Sequence, residues 1–499
     1  MTRRRPPLLA LVPVLAFLTL LAWVFASPIG AGPDDDYHLI STWCAGTTAD
    51  DTCAPADQGG GYHEVSVELV EISCFAGDAE QSAACQEALF DGDMTDDTVV
   101  SDRGNFYGEY PPLYYAVMSA FTSGDVQTSA LLMRVFTITL FVGILTALYL
   151  LLPAARRSTL VVGWLVTTVP LGIFLLASNN PSAWATIGVG TSWLALLGYF
   201  ETTGWRRVAL GALYALGVVM AAGSRGDAAV YVGFATALVL VYVFRPRREF
   251  FIAAVLPAIM GVIALASLLL SGQAGAGLSG LGEGSASETS RGVDTQELST
   301  FGRLAYNVLN APFIWAGALG EWGLGWLDTA MPAIVILPAI MAFVMAGFLG
   351  FGRIGWRKAT MVGAVIFVLW ALPVFVLQQG GDTVGEQLQP RYLLPLIVLL
   401  GGLLALDLPA ANWRRAQLVV VTSALAIAHA GALYFNLRRY LTGVGTGGLD
   451  LGVDPEWWWS LPFSPMFVWL GGSLAYAALM ALIVTRVLAP GPHDHPARR

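Results

Sequence analysis

Long apolar runs dominate this 499-residue chain, and about twelve of them reach the roughly 20 residues that a helix needs to cross a lipid bilayer. The runs lie at residues 7–27, 129–153, 159–177, 182–200, 208–223, 228–244, 250–270, 330–351, 359–377, 392–408, 416–436 and 465–487. Only 12% of the residues are charged, whereas about a quarter are charged in an ordinary soluble protein. The sequence therefore predicts an all-α, polytopic membrane protein and excludes an ordinary soluble enzyme.

The basic residues indicate which ends of these runs face the cytoplasm. They cluster in alternate connections, at residues 3–5, 156–157, 206–207, 245–248, 353–358, 414–415 and 486–499. Loops rich in Arg and Lys stay on the cytoplasmic side of a cell membrane. We therefore predict that both termini are cytoplasmic and that the longer loops, with any active site they carry, are extracytoplasmic.

This topology predicts the domain organisation. Its parts are an N-terminal anchor helix (1–27), a first extracytoplasmic loop with an acidic motif (28–128), transmembrane helices 2–7 (129–270), a flexible extracytoplasmic loop with an interfacial helix (271–329), transmembrane helices 8–12 (330–487) and a cytoplasmic tail (488–499). A cleaved signal peptide is the alternative for the first part. Its apolar core exceeds the usual 7–15 residues, which favours an uncleaved anchor.

All four cysteines lie in the first extracytoplasmic loop, where disulfides persist. Of the three possible pairings, Cys44–Cys53 with Cys74–Cys85 closes the shortest loops. Zinc binding is the competing interpretation, but the spacing contains no CxxC pair. Between these cysteines, residues 62–72 alternate between apolar and polar as a strand does. We expect a small extracytoplasmic subdomain held by two disulfides.

Three consecutive carboxylates follow the first apolar run, at Asp34, Asp35 and Asp36, with His38 close behind. Adjacent carboxylates repel one another, which raises the pKa of at least one unless a cation or hydrogen bonds offset the repulsion. This arrangement suits a general base, or a ligand set for Mg²⁺ or Mn²⁺ built on Asp35 and Asp36. The alternative is the acidic start of a solvated loop.

Three short motifs lie in order along the chain. Pro33, Asp34, Asp35 and His38 follow the first apolar run. The segment 110–115, Tyr-Pro-Pro-Leu-Tyr-Tyr, is followed by Arg134, and a late motif contains Gln389, Arg391, Tyr392 and Pro395. Together they resemble the Pro-Asp-(Glu/Asp)-x-x-His signature, the next block and the late Gln-x-Arg-Tyr-x-x-Pro block of a family of bacterial predicted membrane glycosyltransferases of the GT-C class. Asp35 stands where Glu is commoner, and Pro390 where Gly is usual.

The resemblance implies a GT-C-like fold and an inverting glycosyltransferase. The donor would be a polyprenyl-phosphate sugar reached through membrane lipids, and the acceptor an extracytoplasmic cell-envelope glycan, lipid or protein. It implies that Asp34 is the base and Asp35 its partner or a metal ligand. His38 would orient the acidic cluster or contact the phosphate.

The donor phosphate requires cationic ligands, and arginine offers a planar fork of donors that matches phosphate oxygens. Arg391 is the first candidate because it opens an apolar run at the extracytoplasmic boundary and belongs to the late block. The other predicted substrate-binding residues are Gln389, Tyr392, Arg225, Arg134 and Tyr110. For Arg225, an internal ion pair with Asp227 is an equal alternative, and for Arg134 a structural pair.

The sequence is also compatible with two other functions. A transporter or lipid flippase has a similar number of spans, although the two halves show no convincing internal repeat. A non-catalytic protein of GT-C fold would bind the lipid-linked sugar without turning it over. A net charge of −9 argues against a nucleic-acid partner, which would require a clustered basic face.

Overall fold

The computed structural model describes residues 7–46, 53–57, 59–90, 97–272, 298–352, 354–408, 414–445 and 447–488. Most of this part of the chain is helical. The helices are α1 (Leu11–Phe25), α2 (Asp35–Cys44), α3 (Val67–Val70), α4 (Leu113–Met118), α5 (Val126–Leu151), α6 (Ala154–Leu165), α7 (Leu171–Leu176), α8 (Pro181–Glu201), α9 (Gly204–Ser224), α10 (Gly226–Val243), α11 (Arg248–Ala253), α12 (Val255–Leu270), α13 (Thr300–Ala318), α14 (Ala333–Phe351), α15 (Trp356–Gly380), α16 (Pro390–Ala405), α17 (Arg415–Thr442) and α18 (Pro465–Leu482).

Ten helical stretches among the described residues are long and apolar enough to cross a membrane. They are Leu8–Phe25, Val126–Leu151, Pro181–Glu201, Gly204–Ser224, Gly226–Val243, Arg248–Leu270, Ala333–Phe351, Trp356–Gly380, Arg415–Thr442 and Pro465–Val487. Each overlaps one of the predicted runs. Helix α16 matches a further run but has only 16 residues. The prediction of an α-helical, multi-pass membrane protein is confirmed.

The predicted run at 159–177 is not one spanning helix, and this part of the prediction is wrong. The chain forms α6 and α7, separated by residues 166–170. Pro170 has no backbone N–H with which to continue a helix. The hydroxyl groups of Thr167 and Thr168 donate to the carbonyls of Gly163 and Trp164 at the end of α6. Hydropathy detected the apolar segment, but hydropathy is insensitive to such a break.

Two helices form the centre of the bundle. Every residue of α16 except Tyr392 is buried, as are residues 181–198 of α8. Close packing of α8 on α9 depends on small residues, since a Cβ added to Gly188 would lie 2.4 Å from the carbonyl oxygen of Gly217. Small residues allow membrane helices to approach closely. The start of each central helix is therefore held firmly by its surroundings.

The disulfides Cys44–Cys53 and Cys74–Cys85 form as predicted. Beside them, β1 (His63–Ser66) pairs antiparallel with β2 (Thr98–Ser101). The strand predicted at 62–72 is therefore correct only for its first residues. The pairing with β2 is only four residues long, and α3 begins directly after β1.

This disulfide-bonded subdomain packs on the linker that follows α1. The side-chain amide of Gln86 donates to the carbonyls of Ile29 and Ile72, and the Ser73 hydroxyl donates to the carbonyl of Gly30. The subdomain is thus joined to the chain segment that leads into the acidic motif.

Within the loop predicted at 271–329, the structure places α13, whose first turn is capped by the Ser299 hydroxyl. The predicted flexible segment at 271–290 lies outside the described residues from residue 273 onward. The predicted tail at 488–499 lies outside them from residue 489 onward.

Candidate functional site

The acidic motif lies on a tight turn between α1 and α2. Asp34, the residue before α2, has a left-handed backbone with φ of 60°. The backbone N–H of Gly32 donates to Oδ2 of Asp35 at 3.0 Å, and a Cβ on Gly32 would lie 2.4 Å from Oδ1 of the same side chain. A left-handed conformation is costly for a residue with a side chain and is concentrated at functional sites. The turn therefore requires Gly32 and presents Asp34 at its tip.

The Asp34 carboxylate lies between two guanidinium groups. Its Oδ2 atom accepts from Nη2 of Arg391, and its Oδ1 atom lies 3.6 Å from Nη2 of Arg103. Arg103 also makes two hydrogen bonds to Asp36, at 2.8 and 2.9 Å. Burial by itself would raise the pKa of Asp34, but nearby positive charges, above all that of Arg391, outweigh it and lower the pKa to about 2.

The carbonyl oxygen of Pro33 connects this turn to both central helices. It accepts from Nη1 of Arg391 at 2.6 Å and from Nδ2 of Asn180 at 2.8 Å. Arg391 lies in the first turn of α16, and Asn180 caps α8 by accepting from the backbone N–H of Ser182. The position of Asp34 is therefore set by the starts of the two most enclosed helices.

A second arginine lies beside Arg391. Arg225, between α9 and α10, makes two hydrogen bonds of 2.9 Å to Asp227. Its guanidinium carbon lies 4.7 Å from the centre of the Tyr392 ring and 5.6 Å from that of Tyr110. The guanidinium carbon of Arg391 lies 4.9 Å from the same Tyr392 ring, and its Nη2 donates to the Tyr392 hydroxyl. Two cations thus share one aromatic ring, which is an arrangement suited to an anion.

His38 is buried on the first turn of α2. Its Nδ1 atom lies 2.9 Å from the Tyr115 hydroxyl, and its Nε2 atom has no hydrogen-bond partner among the described residues. Its ring meets Tyr37 and Tyr110 edge to face. Burial lowers the pKa of His38 well below its usual value, more than the negative charge of Asp34 raises it. The imidazole is therefore neutral at pH 7.

Asp35 differs from its neighbour because its side chain is fully buried. One oxygen accepts from Gly32, and the other has no partner in the described part of the chain. Burial raises the pKa of Asp35 to about 6, although the charge of Arg134 and the N–H of Gly32 oppose the shift.

The predicted metal ligands, Asp35 and Asp36, do not fit a divalent cation in this arrangement. Asp35 is directed at the Gly32 turn, and both oxygens of Asp36 accept from Arg103. Among the residues that the structure describes, no three His, Cys, Asp or Glu side chains group around a metal position.

Arg134 does not join this site, in contrast to its predicted role in substrate binding. It is buried in α5, where Nε donates to Asn179. Its other nitrogens donate to backbone carbonyls of Val24, Ser27 and Pro28. Arg134 therefore holds the linker between α1 and Asp34, and its donors are taken up by the protein itself.

The structure brings together most of the other predicted residues. Asp34, His38, Tyr110, Arg225, Arg391 and Tyr392 form one cluster at one end of the bundle, and the Oε1 atom of Gln389, at the start of α16, is buried without a hydrogen-bond partner among the described residues. The sequence analysis assigned neither Arg103 nor Asn180 to this site. The Asn-Pro pair at 180–181, typical of a capped helix start, gave no hint of the second contact with Pro33.

An apolar cavity of about 600 Å³ lies elsewhere in the bundle, between α1, α5, α6 and α18. Its walls include Leu20, Phe141, Leu165 and Leu479, and none of the predicted site residues lines it.

These features define a multi-pass α-helical membrane protein with a cluster of carboxylates, arginines and tyrosines at one end of its bundle. The chain belongs to the family described as "Predicted membrane protein (DUF2142)", which matches residues 17–400, a range that includes Asp34 and Arg391. No curated protein matches the chain. Among solved structures it is similar to ArnT from Cupriavidus metallidurans in the apo state, with a TM-score of 0.42 and 12% identity over 95% of this chain and 76% of that chain.

Proposed function

We propose that the protein is an inverting glycosyltransferase that moves a sugar from a polyprenyl-phosphate donor to an extracytoplasmic acceptor. The observation that carries this proposal is the Asp34 carboxylate held against Arg391, with Arg225 beside it on the Tyr392 ring. The site thus combines a base with a pair of cations suited to a phosphate. The resemblance of the three motifs to membrane glycosyltransferases points to the same chemistry.

In the proposed reaction, Asp34 takes the proton of an acceptor hydroxyl group while the hydroxyl oxygen attacks the anomeric carbon of the donor sugar. The bond between that carbon and the phosphate oxygen breaks, and its electron pair leaves with polyprenyl phosphate. The attack comes from the face opposite the leaving group, so the anomeric configuration is inverted. No nucleotide or other cofactor is needed for the atoms and charges to balance.

The arginines would hold the donor and stabilise the phosphate as it leaves. Arg391 is enclosed at the start of α16, so its guanidinium is oriented before the donor binds. Fixed cations in an enclosed site stabilise developing negative charge without reorganisation. The Tyr392 ring would hold Arg391 and Arg225 at a separation that lets both guanidinium groups contact the donor phosphate.

The remaining cluster residues would orient the sugar and the base. The unpartnered atoms Nε2 of His38 and Oε1 of Gln389 offer hydrogen-bonding positions for sugar hydroxyls, and the Tyr110 ring lies beside Arg225. Arg134 and Asn180 would act as positioning residues, because they hold the linker and the Pro33 carbonyl rather than a substrate.

The first test is Asp34→Asn, which keeps the size of the side chain and removes the base. We expect the rate of sugar transfer to fall by at least about 100-fold, which is the lower end of the usual contribution of a general base. The measurement is sugar transfer from a panel of radiolabelled polyprenyl-phosphate sugars by the full-length protein in proteoliposomes. Asp57→Asn, which removes an exposed carboxylate from the same loop, is the matched control and should retain activity.

Transfer at the wild-type rate by a folded Asp34→Asn protein would contradict the proposal. The same assay separates the enzyme from a transporter or flippase. Transfer consumes the bond between sugar and phosphate and releases free polyprenyl phosphate, whereas transport leaves that bond intact.

A further inference from the structure

Arg391 has two roles that conflict in the proposed function. It is the predicted ligand of the donor phosphate, yet its Nη2 atom already donates to the carboxylate of Asp34, the proposed base. The arginine side chain is only 2% exposed, so it lacks the solvent access that would let it swing to a separate phosphate position. Asp34 is 23% exposed and therefore lies on the open side of the pair.

The guanidinium of Arg391 is held by contacts other than the one with the Asp34 side chain. Nη1 donates to the carbonyl of Pro33, and Nη2 also donates to the Tyr392 hydroxyl, whose ring packs against the cation. The Nε atom has no hydrogen-bond partner among the described residues. If the carboxylate leaves, the cation therefore stays in place with several of its five N–H donors available to a phosphate.

Asp34 is a poor base while these contacts last. Arg391 binds one of its oxygens and Arg103 lies 3.6 Å from the other, so both oxygens face cations. A carboxylate held in this way accepts a proton weakly, and efficient proton transfer at neutral pH requires a stronger base. Arg103 has its own two hydrogen bonds to Asp36 and does not depend on Asp34 for a partner.

We propose that the donor phosphate displaces Asp34 from Arg391, and that this exchange converts Asp34 from an ion-pair partner into the active base. This inference rests on the proposed function and adds its order of events. The phosphate carries at least the charge of a carboxylate and can accept from two donors of a guanidinium at once.

The exchange predicts that Asp34 competes with the phosphate for Arg391. Removing the charge of Asp34 should therefore strengthen the binding of polyprenyl phosphate while it abolishes sugar transfer. Because the ion pair between Asp34 and Arg391 no longer has to be broken, we expect the affinity for polyprenyl phosphate to rise about tenfold, which corresponds to about 1.4 kcal/mol. Polyprenol, which has the same chain without the phosphate, should bind Asp34→Asn and wild-type protein equally.

The experiment measures equilibrium binding of radiolabelled polyprenyl phosphate to the full-length protein in nanodiscs. Asp34→Asn is compared with Asp57→Asn, which removes the same charge from an exposed position in the same loop and controls for long-range attraction. Asp34→Ser repeats the test with a smaller neutral side chain in case the asparagine variant does not fold. We expect both Asp34 variants to bind more tightly than wild type and Asp57→Asn to bind like wild type.

A double-mutant cycle identifies the group for which Asp34 competes. Arg391→Gln should weaken binding, and adding Asp34→Asn to Arg391→Gln should then give no further gain. Equal affinity of Asp34→Asn and Asp57→Asn overturns the exchange but leaves the glycosyltransferase proposal standing. Failure of wild-type protein to bind polyprenyl phosphate, together with absence of sugar transfer, overturns both.

Discussion

Asp34 and Asp35 are adjacent carboxylates with opposite pKa shifts. Asp34 lies against Arg391 and Arg103, and nearby positive charge, above all that of Arg391, overcomes the effect of burial and holds its pKa at about 2. Asp35 faces the interior, where burial raises its pKa to about 6 and Arg134 offsets only part of the shift. Environments that separate the pKa values of two neighbouring acids assign them different roles. Asp34 is therefore suited to ionic contacts in the site, and Asp35 to support of the turn.

The raised pKa of Asp35 predicts a pH dependence of stability. In the unfolded chain Asp35 ionises near pH 3.8, whereas in the folded protein it holds its proton up to about pH 6. The contribution of Asp35 to stability is thus complete below about pH 4 and is lost as the pH rises through 6. We expect wild type to lose stability between pH 4 and 7 relative to Asp35→Asn, which does not ionise.

The measurement is the thermal unfolding midpoint of both proteins at pH 5 and pH 7.5 in the same detergent. The difference between the two proteins should shift in favour of Asp35→Asn at the higher pH. A difference that is constant with pH would show that Asp35 does not titrate in this range.

At the scale of elements, the site depends on where helices begin. Helices α8 and α16 are the most enclosed of the bundle, and their first residues supply Asn180 and Arg391 to the same carbonyl group of Pro33. Residues at the start of a buried helix have little freedom to move, which is the condition for an oriented site. The exposed side of the site comes instead from short elements, with Arg103 after β2 and Tyr110 before α4.

The opposite end of α16 depends on the chain's single lysine. Lys358 is buried and donates to the carbonyls of Leu404 and Leu406, at the end of α16, and of Gly350 in α14. The last carbonyls of a helix have no partner within the helix, and a cation near them is stabilising. The lysine therefore connects α14, α15 and α16.

Replacing this lysine tests that role. We expect Lys358→Met to destabilise the protein by about 2–4 kcal/mol, because it leaves several buried carbonyl groups without a donor. Thermal or denaturant unfolding in detergent measures the effect. Arg415→Met removes an exposed positive charge from the start of α17 and should change stability by less than about 0.5 kcal/mol. Similar effects of the two substitutions would contradict the capping role.

At the scale of the whole molecule, the site and the disulfide-bonded subdomain lie at the same end of the bundle. The subdomain contacts the linker at Ile29 and Gly30, and the linker carries Asp34. At the other end of the bundle, Arg156 forms ion pairs with Glu201 and Asp407. These pairs connect the start of α6 with the ends of α8 and α16. We propose that the end with the subdomain is extracytoplasmic, as the distribution of basic residues predicts.

This orientation can be tested by labelling single cysteines, because all four native cysteines are in disulfides. Asp102→Cys should react in intact cells with a maleimide that cannot cross the membrane. Arg248→Cys, exposed at the start of α11, should react only after the membrane is permeabilised. The reverse pattern would show that the chain is inserted in the opposite orientation.

The sequence by itself determined the properties that depend on neighbouring residues. Apolar runs identified the membrane helices, because hydropathy is local, and the spacing of four cysteines predicted both disulfides correctly. The same local reasoning located the acidic turn at Asp34, but it read residues 159–177 as one helix and 62–72 as one strand. Hydropathy and alternation do not report where hydrogen bonding stops.

Only the tertiary structure decided which charges are partners. Asp34 and Arg391 are 357 residues apart, and their contact exists because α16 begins beside the turn after α1. The same packing places Arg134 against backbone carbonyls and Arg103 against Asp36. Arginines are alike in sequence, and their roles differ only through the groups that folding places around them. The site is therefore a property of the assembled bundle, because an ion pair requires proximity that no local pattern encodes.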